Sequence, residues 1–295
     1  MKKFTGTGVA IVTPFKNDFS IDFAALGRVI NHVINGGVDY IVALGTTGES
    51  VTLTQDEKNA VISYVAETID GKVPLVVGFG GNNTQEVINA IRQADLEKVD
   101  GILSVAPYYN KPSQQGLIMH FKAISTCSPA PIIVYNVPSR TACNMSADTS
   151  IQLAHECDNI VAIKESSGDI GQIMKIIKGV PDDFSVISGD DIMTLPVIAG
   201  GGAGVISVLA NAFPKACSNI VNNALKSNFK NARELQFKLL EAIELLFLEG
   251  NPAGVKTFMS IFNLCNNTLR LPLTPVSRTT FARIQKVAEE AQFIV

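Results

Sequence analysis

The sequence is poor in the residues that disulfides and metal sites require. It contains five cysteines and three histidines among 295 residues. No two cysteines form a C-x-x-C pair, and the three histidines lie far apart along the chain. These absences argue against a disulfide framework or a zinc site. We therefore expect reduced, mostly buried thiols and no metal.

Excess charge of one sign and long apolar runs are also missing. The net charge is −3 at pH 7, which provides no broad basic surface for nucleic acid or for an anionic membrane. No apolar run approaches the ~18–20 residues that span a bilayer. The segment MKKFTGTGVAIVTPF reaches Pro14 too early to hold the apolar core of a signal peptide. We expect a cytoplasmic protein with neither nucleic-acid nor membrane partners.

Short apolar runs are what the chain does contain, and eight of them alternate with longer amphipathic segments. Most are rich in valine and isoleucine and apolar on both faces, which is typical of buried parallel strands. They span residues 8–13, 39–44, 74–79, 101–106, 131–136, 159–164, 184–189 and 203–208. Eight strand–helix repeats predict an α/β fold of the (β/α)8 TIM-barrel type.

The strand pattern stops after the eighth run, and helical patterns follow. From about residue 214 we expect three or four helices, two of them over 231–249 and 277–292. The predicted organisation is therefore a catalytic barrel in residues 1–225 and a helical C-terminal extension in residues 226–295. An open doubly wound sheet is the alternative, but it would normally carry fewer repeats and a glycine-rich turn after its first strand.

Polar and aromatic residues cluster where five of the predicted strands end. In TIM barrels the carboxyl ends of the strands and the loops after them carry the chemistry. The five segments are GTTGES (45–50), PYYNKPS (107–113), YNVPSRT (135–141), KESSGD (164–169) and SGDD (188–191). The sequence therefore predicts that these segments meet at one mouth of the barrel.

Lys164 stands at the end of an apolar strand, where lysine is rarely buried. Strand alternation places Ile160, Ala162 and Lys164 on one face and Val161, Ile163 and Glu165 on the other. If the first face points inward, the amine lies among apolar walls, which favour the neutral form that attacks a carbonyl. The alternative is a lysine whose stem packs inside while its ammonium group reaches solvent.

Three neighbouring segments offer groups that a Schiff-base lysine would use. Tyr135 ends the adjacent strand, and its phenol can move a proton during imine formation, or it can be a buried structural tyrosine. Thr46 and Thr47 offer hydroxyl and backbone donors to a carboxylate, or they form a plain turn before a helix. Arg140 can bind a second carboxylate with two donors, or it lies on the surface.

These segments, in this order and spacing, resemble the dihydrodipicolinate synthase family, and the resemblance runs through the whole chain to LRLPLTPV near its C-terminus. It implies condensation of pyruvate with L-aspartate 4-semialdehyde, the first committed step toward diaminopimelate and lysine, with no cofactor. It also implies a homotetramer built as a dimer of dimers. GTTGE alone would also suit neighbouring pyruvate aldolases.

The resemblance assigns roles to eight residues. Lys164 matches the Schiff-base lysine, and Tyr135, Thr46 and Tyr109 match the proton-relay group, Tyr109 reaching into the neighbouring subunit's site. The residues matched to substrate binding are Thr47, Arg140, Gly189 and Ile206. Among these, Thr47 contacts the pyruvate carboxylate, Gly189 and Ile206 contribute backbone groups, and Arg140 stands at the entrance for the semialdehyde carboxylate.

A regulatory lysine site is also implied, with one departure. The matching positions are Ser50, Val51, Asn82, Glu86 and Tyr108. Strongly inhibited members of the family commonly carry histidines at two further positions, which here are Gln55 and Lys58. Because Lys58 would repel a cationic ligand, we expect weak feedback inhibition by lysine at most.

Two other functions compete with this interpretation. One is another pyruvate-dependent class I aldolase, such as N-acetylneuraminate lyase or a keto-sugar-acid aldolase. Arg140 within PSRT favours a short carboxylated aldehyde over a sugar, which should need a roomier, hydroxyl-rich pocket. The other is a non-catalytic barrel that binds or regulates, and the combination of lysine, tyrosine and threonine argues against it.

Overall fold

The protein, a computed structural model that describes residues 4–291, has eight strands. They are β1 (Gly6–Ala10), β2 (Tyr40–Ala43), β3 (Leu75–Gly78), β4 (Gly101–Val105), β5 (Ile132–Asn136), β6 (Ile160–Glu165), β7 (Ser185–Ser188) and β8 (Gly204–Ser207). Each strand pairs in parallel with the next, and β8 pairs with β1 to close the barrel. The predicted TIM barrel is confirmed.

Both faces of the strands are buried because the barrel has two apolar layers. Side chains such as Val42, Leu103 and Ile133 fill the barrel interior. Their strand neighbours, for example Ile41 and Ile102, point outward and pack under the surrounding helices. This is why the strand sequences are apolar throughout instead of alternating with polar residues.

Thirteen α-helices accompany the strands among residues 4–291. They are α1 (Phe23–Asn35), α2 (Gln55–Ile69), α3 (Thr84–Gln93), α4 (Gln114–Cys127), α5 (Pro138–Thr141), α6 (Ala147–Glu156), α7 (Ile170–Gly179), α8 (Thr194–Ala199), α9 (Pro214–Leu225), α10 (Phe229–Lys238), α11 (Leu240–Phe247), α12 (Ala253–Ile261) and α13 (Arg278–Ala291). None of these helices is both long and apolar enough to cross a bilayer.

The C-terminal helices pack on the barrel through a second apolar core. Phe213 follows β8 and makes an edge-to-face contact with Phe258 of α12, with ring centres 5.5 Å apart. Leu245 and Ile284 from the extension join the same fully buried cluster. Since aromatic and aliphatic burial of this kind contributes about 1.5–3 kcal/mol per side chain, the predicted helical extension is an integral layer of the fold.

Two predictions about the helical region differ from the structure. The helix expected over 231–249 is two helices, α10 and α11, which meet at Leu239 with φ −104° and ψ 2°. Leu239 is completely buried in the second core, so packing decides the direction of the chain there. Between residues 214 and 291 there are five α-helices instead of three or four. The predicted last position of α13, Gln292, lies outside the described residues, as do the N-terminal lysines and both outer domain limits.

The predicted alternation along β6 is correct from Ala162 onward and wrong at its start. Ala162 lies in the barrel interior and Ile163 in the outer layer, as expected. Ile160, however, packs in the outer layer, and Val161 packs against the interior. The cause is a register shift between β5 and β6, which inserts one extra residue and so reverses the faces before it.

Candidate active site

Lys164 lies near the carboxyl end of β6 and is only 5% exposed. In the sheet it pairs with Tyr135 of β5 on one side and Ile187 of β7 on the other. Among residues 4–291, no carboxylate oxygen lies within the 4.0 Å of Nζ that would define an ion pair. The amine is therefore buried with no ion-pair partner among these residues. Burial raises the pKa of the Asp190 carboxylate, and the charge of Lys164 is near enough to offset part of that rise.

The carboxylate of the next residue, Glu165, forms hydrogen bonds with other groups. Glu165 points away from the barrel interior and accepts hydrogen bonds from the Asn136 side chain, the Ser167 N–H and the Gln172 side chain. The Ser167 contact is 2.7 Å and the Gln172 contact 3.0 Å. Glu165 thus ties the end of β6 to β5 and α7, and it does not pair with Lys164.

The aromatic ring of Tyr135 lies beside the Lys164 amine. Nζ lies 4.3 Å from the ring centre, which is within the range of a cation–π contact. Tyr135 is itself buried at 7% exposure, and it belongs to the apolar cluster in the barrel interior. Strand pairing fixes this arrangement, since Tyr135 and Lys164 are directly opposite in the register of β5 and β6.

Gly189 provides the space that the Lys164 side chain occupies. A Cβ atom at position 189 would lie 2.8 Å from Cε and 2.9 Å from Cγ of Lys164, and it would also collide with the Ser166 hydroxyl. The Gly189 N–H donates to the Glu165 carbonyl at 2.8 Å. Ile206 of β8 is fully buried in the same interior cluster as Tyr135. The sequence-predicted Gly189 therefore lies against Lys164.

A cleft of about 650 Å³ opens at this end of the barrel. It brings together three predicted site residues, Thr46, Tyr135 and Arg140, of which Thr46 and Arg140 are exposed. The predicted regulatory residues line the same cleft, as do the two positions that depart from the family pattern: Ser50, Val51, Asn82, Glu86 and Tyr108, with Gln55 and Lys58. One continuous cleft thus contains three of the predicted site residues together with the whole predicted regulatory set.

Five of the predicted site residues do not line this cleft: Lys164, Thr47, Gly189, Ile206 and Tyr109. Tyr109 is the most exposed of them. It is 87% exposed and has a left-handed backbone conformation with φ 73°. Its neighbour Tyr108 lines the cleft, whereas Tyr109 does not. In this chain Tyr109 therefore lies at the surface, outside the cleft.

Comparison with known sequences decides the family. A sequence profile of the Dihydrodipicolinate synthetase family matches residues 3–291. The chain belongs to this family.

Individual members of the family match almost the whole chain. The 4-hydroxy-tetrahydrodipicolinate synthase of Flavobacterium psychrophilum is 50% identical over 284 residues, which cover 96% of this chain and 97% of that protein. The crystal structure of dihydrodipicolinate synthase from Aquifex aeolicus is 41% identical with a TM-score of 0.95 and 99% of each chain covered. The Cyanidioschyzon merolae enzyme, solved with lysine bound, is 35% identical with a TM-score of 0.95 and 100% of each chain covered.

Residues that the sequence analysis missed anchor the loop of Thr46 and Thr47. This loop is part of the GTTGES segment that supported the resemblance to the dihydrodipicolinate synthase family. Glu49 follows Gly48 and is 1% exposed, and its carboxylate accepts from Lys256 Nζ at 2.5 Å and from the Arg270 N–H at 3.1 Å. Asn251 donates from its side chain to the Thr47 hydroxyl at 2.9 Å. All three partners come from the C-terminal extension.

The environment of Lys256 resembles that of Lys164 in sequence and differs in structure. Both lysines follow small and apolar residues, AGVK in one case and VAIK in the other. Lys256 is completely buried, its Nζ lies 4.3 Å from the Phe15 ring centre, and it also donates to the Thr268 carbonyl. Burial lowers the pKa of Lys256, and the adjacent Glu49 carboxylate partly offsets this. The sequence around Lys256 thus indicates a buried lysine but does not show that it pairs with Glu49.

Arg270 connects the same loop to the helix after it. Its guanidinium group forms two hydrogen bonds with Glu57 of α2, at 2.8 and 2.5 Å. These bonds lower the pKa of Glu57 to about 2. Arg270 also donates to the carbonyls of Thr52 and Phe19. The LRLPLTPV segment that supported the family resemblance therefore holds the beginning of α2 in place.

Proposed function

We propose that this chain condenses pyruvate with L-aspartate 4-semialdehyde through an imine on Lys164, giving 4-hydroxy-tetrahydrodipicolinate. This is the reaction of a 4-hydroxy-tetrahydrodipicolinate synthase, a lyase of the class I aldolase type in diaminopimelate and lysine biosynthesis. The observation that carries the proposal is the buried, unpaired amine of Lys164 beside Tyr135 at the catalytic end of the barrel. Membership of the family supports the same reaction.

The chemistry begins with the neutral amine. Lys164 Nζ attacks the keto carbon of pyruvate to form a carbinolamine, which loses water to give the imine. The positively charged imine then accepts the electrons left when the methyl group loses a proton, and an enamine forms. The enamine carbon attacks the aldehyde. The amine of the second substrate finally attacks the imine carbon, closes the ring and releases Lys164, so the imine supplies the electron sink and no cofactor is needed.

Proton movement in these steps is assigned to hydroxyl groups. We propose that Tyr135 and Thr46 form the relay at the cleft and that Tyr109 completes it from a neighbouring subunit. The exposure of Tyr109 supports this role, because a tyrosine that is 87% exposed in one chain is free to enter another. The assembly proposed is therefore a homotetramer arranged as a dimer of dimers.

Substrate binding is assigned to four further residues. Thr47 would donate to the pyruvate carboxylate, with backbone groups of Gly189 and Ile206 close to the reacting carbon. Arg140, exposed at the cleft, would bind the carboxylate of the semialdehyde. We also propose that residues 1–225 form the catalytic barrel and residues 226–295 the extension, in a cytoplasmic enzyme.

A substrate comparison tests the proposed reaction against a sugar-acid aldolase. In an assay that couples the cyclic product to a reductase, we expect turnover with aspartate semialdehyde. Pyruvate formation from N-acetylneuraminate or from a keto-gluconate should be slower by about a hundredfold or more, because a short carboxylated aldehyde matches Arg140. Replacing Arg140 with methionine should raise the KM for the semialdehyde without changing imine trapping by pyruvate. Faster turnover of either sugar acid would contradict the proposal.

Weak inhibition by lysine is the second expectation. Lys58 and Glu86 line the same cleft, so a cationic ligand attracted by Glu86 would also be repelled by Lys58. Two like charges at ~4 Å in water repel by about 1 kcal/mol, which weakens binding about fivefold. Titration with lysine should therefore give half-inhibition only above the low millimolar range. Replacing Lys58 with glutamine should lower that concentration about fivefold. Half-inhibition of the unaltered protein at low-millimolar or sub-millimolar lysine would contradict the prediction.

A further inference from the structure

Asn251 connects the C-terminal extension to the proposed pyruvate site. It is 6% exposed, and its side-chain Nδ2 donates to Oγ1 of Thr47 at 2.9 Å, across 204 residues of sequence. Thr47 is also buried, at 3% exposure. Neither the sequence pattern nor the family resemblance pointed to this asparagine.

The direction of this hydrogen bond determines what the Thr47 hydroxyl can do. An amide NH₂ group only donates, so Thr47 Oγ1 acts as the acceptor and its own proton is left for another partner. The Asn251 Oδ1 atom is buried without a hydrogen-bond partner, so it does not take that proton. The hydroxyl is therefore free to donate to an anion, and a donor to a carboxylate makes a stronger bond than one between neutral groups.

The loop around Thr47 is held on both sides of Gly48. Before it, Asn251 binds Thr47; after it, Lys256 and the Arg270 N–H bind the Glu49 carboxylate. Thr13 also donates to the Gly48 carbonyl at 2.7 Å. Because the partners on both sides belong to the extension, the position of Thr47 depends on residues more than 200 positions away.

We propose that Asn251 is a positioning residue that presents the Thr47 hydroxyl as a hydrogen-bond donor to the carboxylate of the keto acid. The inference rests on the proposed function, since it requires pyruvate to bind beside Thr47. Asn251 itself acts through Thr47 and not on the reacting atoms. Its loss should therefore weaken the binding of pyruvate and leave the KM for the aldehyde substrate nearly unchanged.

A double-mutant cycle on the full-length protein tests this inference. Asn251→Ala should raise the KM for pyruvate about tenfold, because a Thr47 hydroxyl that is no longer oriented loses its hydrogen bond to the charged carboxylate. In a Thr47→Val background the same substitution should have almost no further effect, because the hydroxyl it orients is already absent. Asn251→Asp, which is nearly isosteric, should raise this KM more than alanine does, because its carboxylate accepts the Thr47 proton and repels the substrate.

Each control separates one explanation from another. Asn231→Ala, on the exposed surface of α10, should leave both KM values unchanged. Equal effects of Asn251→Ala with and without the Thr47 hydroxyl would show a general structural role and overturn the inference. An Asn251→Asp variant that binds pyruvate better than Asn251→Ala would also overturn it. If borohydride with pyruvate fails to label Lys164 of the unaltered protein, the proposed function itself fails. Normal labelling with an additive cycle rejects only the role of Asn251.

Discussion

Replacing Lys164 with methionine should lower the turnover number by about ten-thousandfold or more, because no imine can form and the reaction loses its electron sink. Lys164→Arg should be equally inactive, since a guanidinium group stays protonated in proteins and cannot act as the nucleophile. Borohydride reduction in the presence of pyruvate, followed by mass spectrometry of the intact protein, measures the imine directly. Neither variant should gain mass.

Stability gives an independent check on the same substitution. Lys164 is buried without an ionic partner, so methionine removes a polar group that is costly to bury. The midpoint of thermal unfolding of Lys164→Met should equal or exceed that of the unaltered protein, which is the usual relation between function and stability at a catalytic position. Lys175→Met, on the exposed face of α7, is the matched control and should keep both activity and labelling. Labelling of the Lys164→Met variant would disprove the assignment of the nucleophile.

Lys256→Met should lower the free energy of unfolding by about 3–5 kcal/mol, the range expected when one partner of a buried ion pair is removed. Lys256 and Glu49 are both fully buried in their side chains, and their charged atoms lie 2.5 Å apart. Without Lys256, the buried Glu49 carboxylate would keep one hydrogen-bond donor among residues 4–291, the Arg270 N–H, with the Arg270 charge as its remaining favourable electrostatic partner. Activity should also fall, because Glu49 belongs to the loop that carries Thr47. Denaturant unfolding at fixed protein concentration measures the loss.

Two further variants show whether the loss of stability in Lys256→Met comes from leaving a buried charge unpaired. Glu49→Gln combined with Lys256→Met removes both charges, and it should be much less destabilising than Lys256→Met alone. Arg283→Met breaks an exposed ion pair with Glu241, whose partners lie 3.7 Å apart, and should change stability by at most about 1 kcal/mol. A Lys256→Met variant that is no less stable than Arg283→Met would contradict the structural importance of the buried pair.

The barrel and the pairing of Tyr135 with Lys164 were predictable because their signals are local. A strand buried on both faces must be apolar throughout, so runs such as 74–79 and 131–136 can be recognised as strands from their composition. The closed order of parallel strands then requires that consecutive strand ends be neighbours. That rule alone placed Tyr135 beside Lys164, and the structure shows the two directly paired. Gly189 is consistent with the same rule, since its segment follows β7, the other neighbour of β6.

Tertiary structure decided features for which no short stretch of sequence contains the information. Ile160 faces outward because β5 and β6 pair with one extra residue, and a bulge of this kind depends on the partner strand. The break at Leu239 depends on the second core, to which barrel and extension both contribute. Tyr109 is 87% exposed and does not line the cleft, which the sequence pattern around PYYNKPS did not reveal.

The sequence by itself determined the eightfold strand–helix order, the strand ends that hold the reactive groups and the presence of a lysine in an apolar strand. Folding alone decided that Asn251, Lys256 and Arg270 hold the loop of Thr47 and Glu49. The physical reason is that hydrogen bonds and ion pairs between segments more than 200 residues apart leave no periodic pattern in either segment. A buried lysine paired with a carboxylate and a buried lysine left free therefore look alike in sequence and differ only in their three-dimensional neighbours.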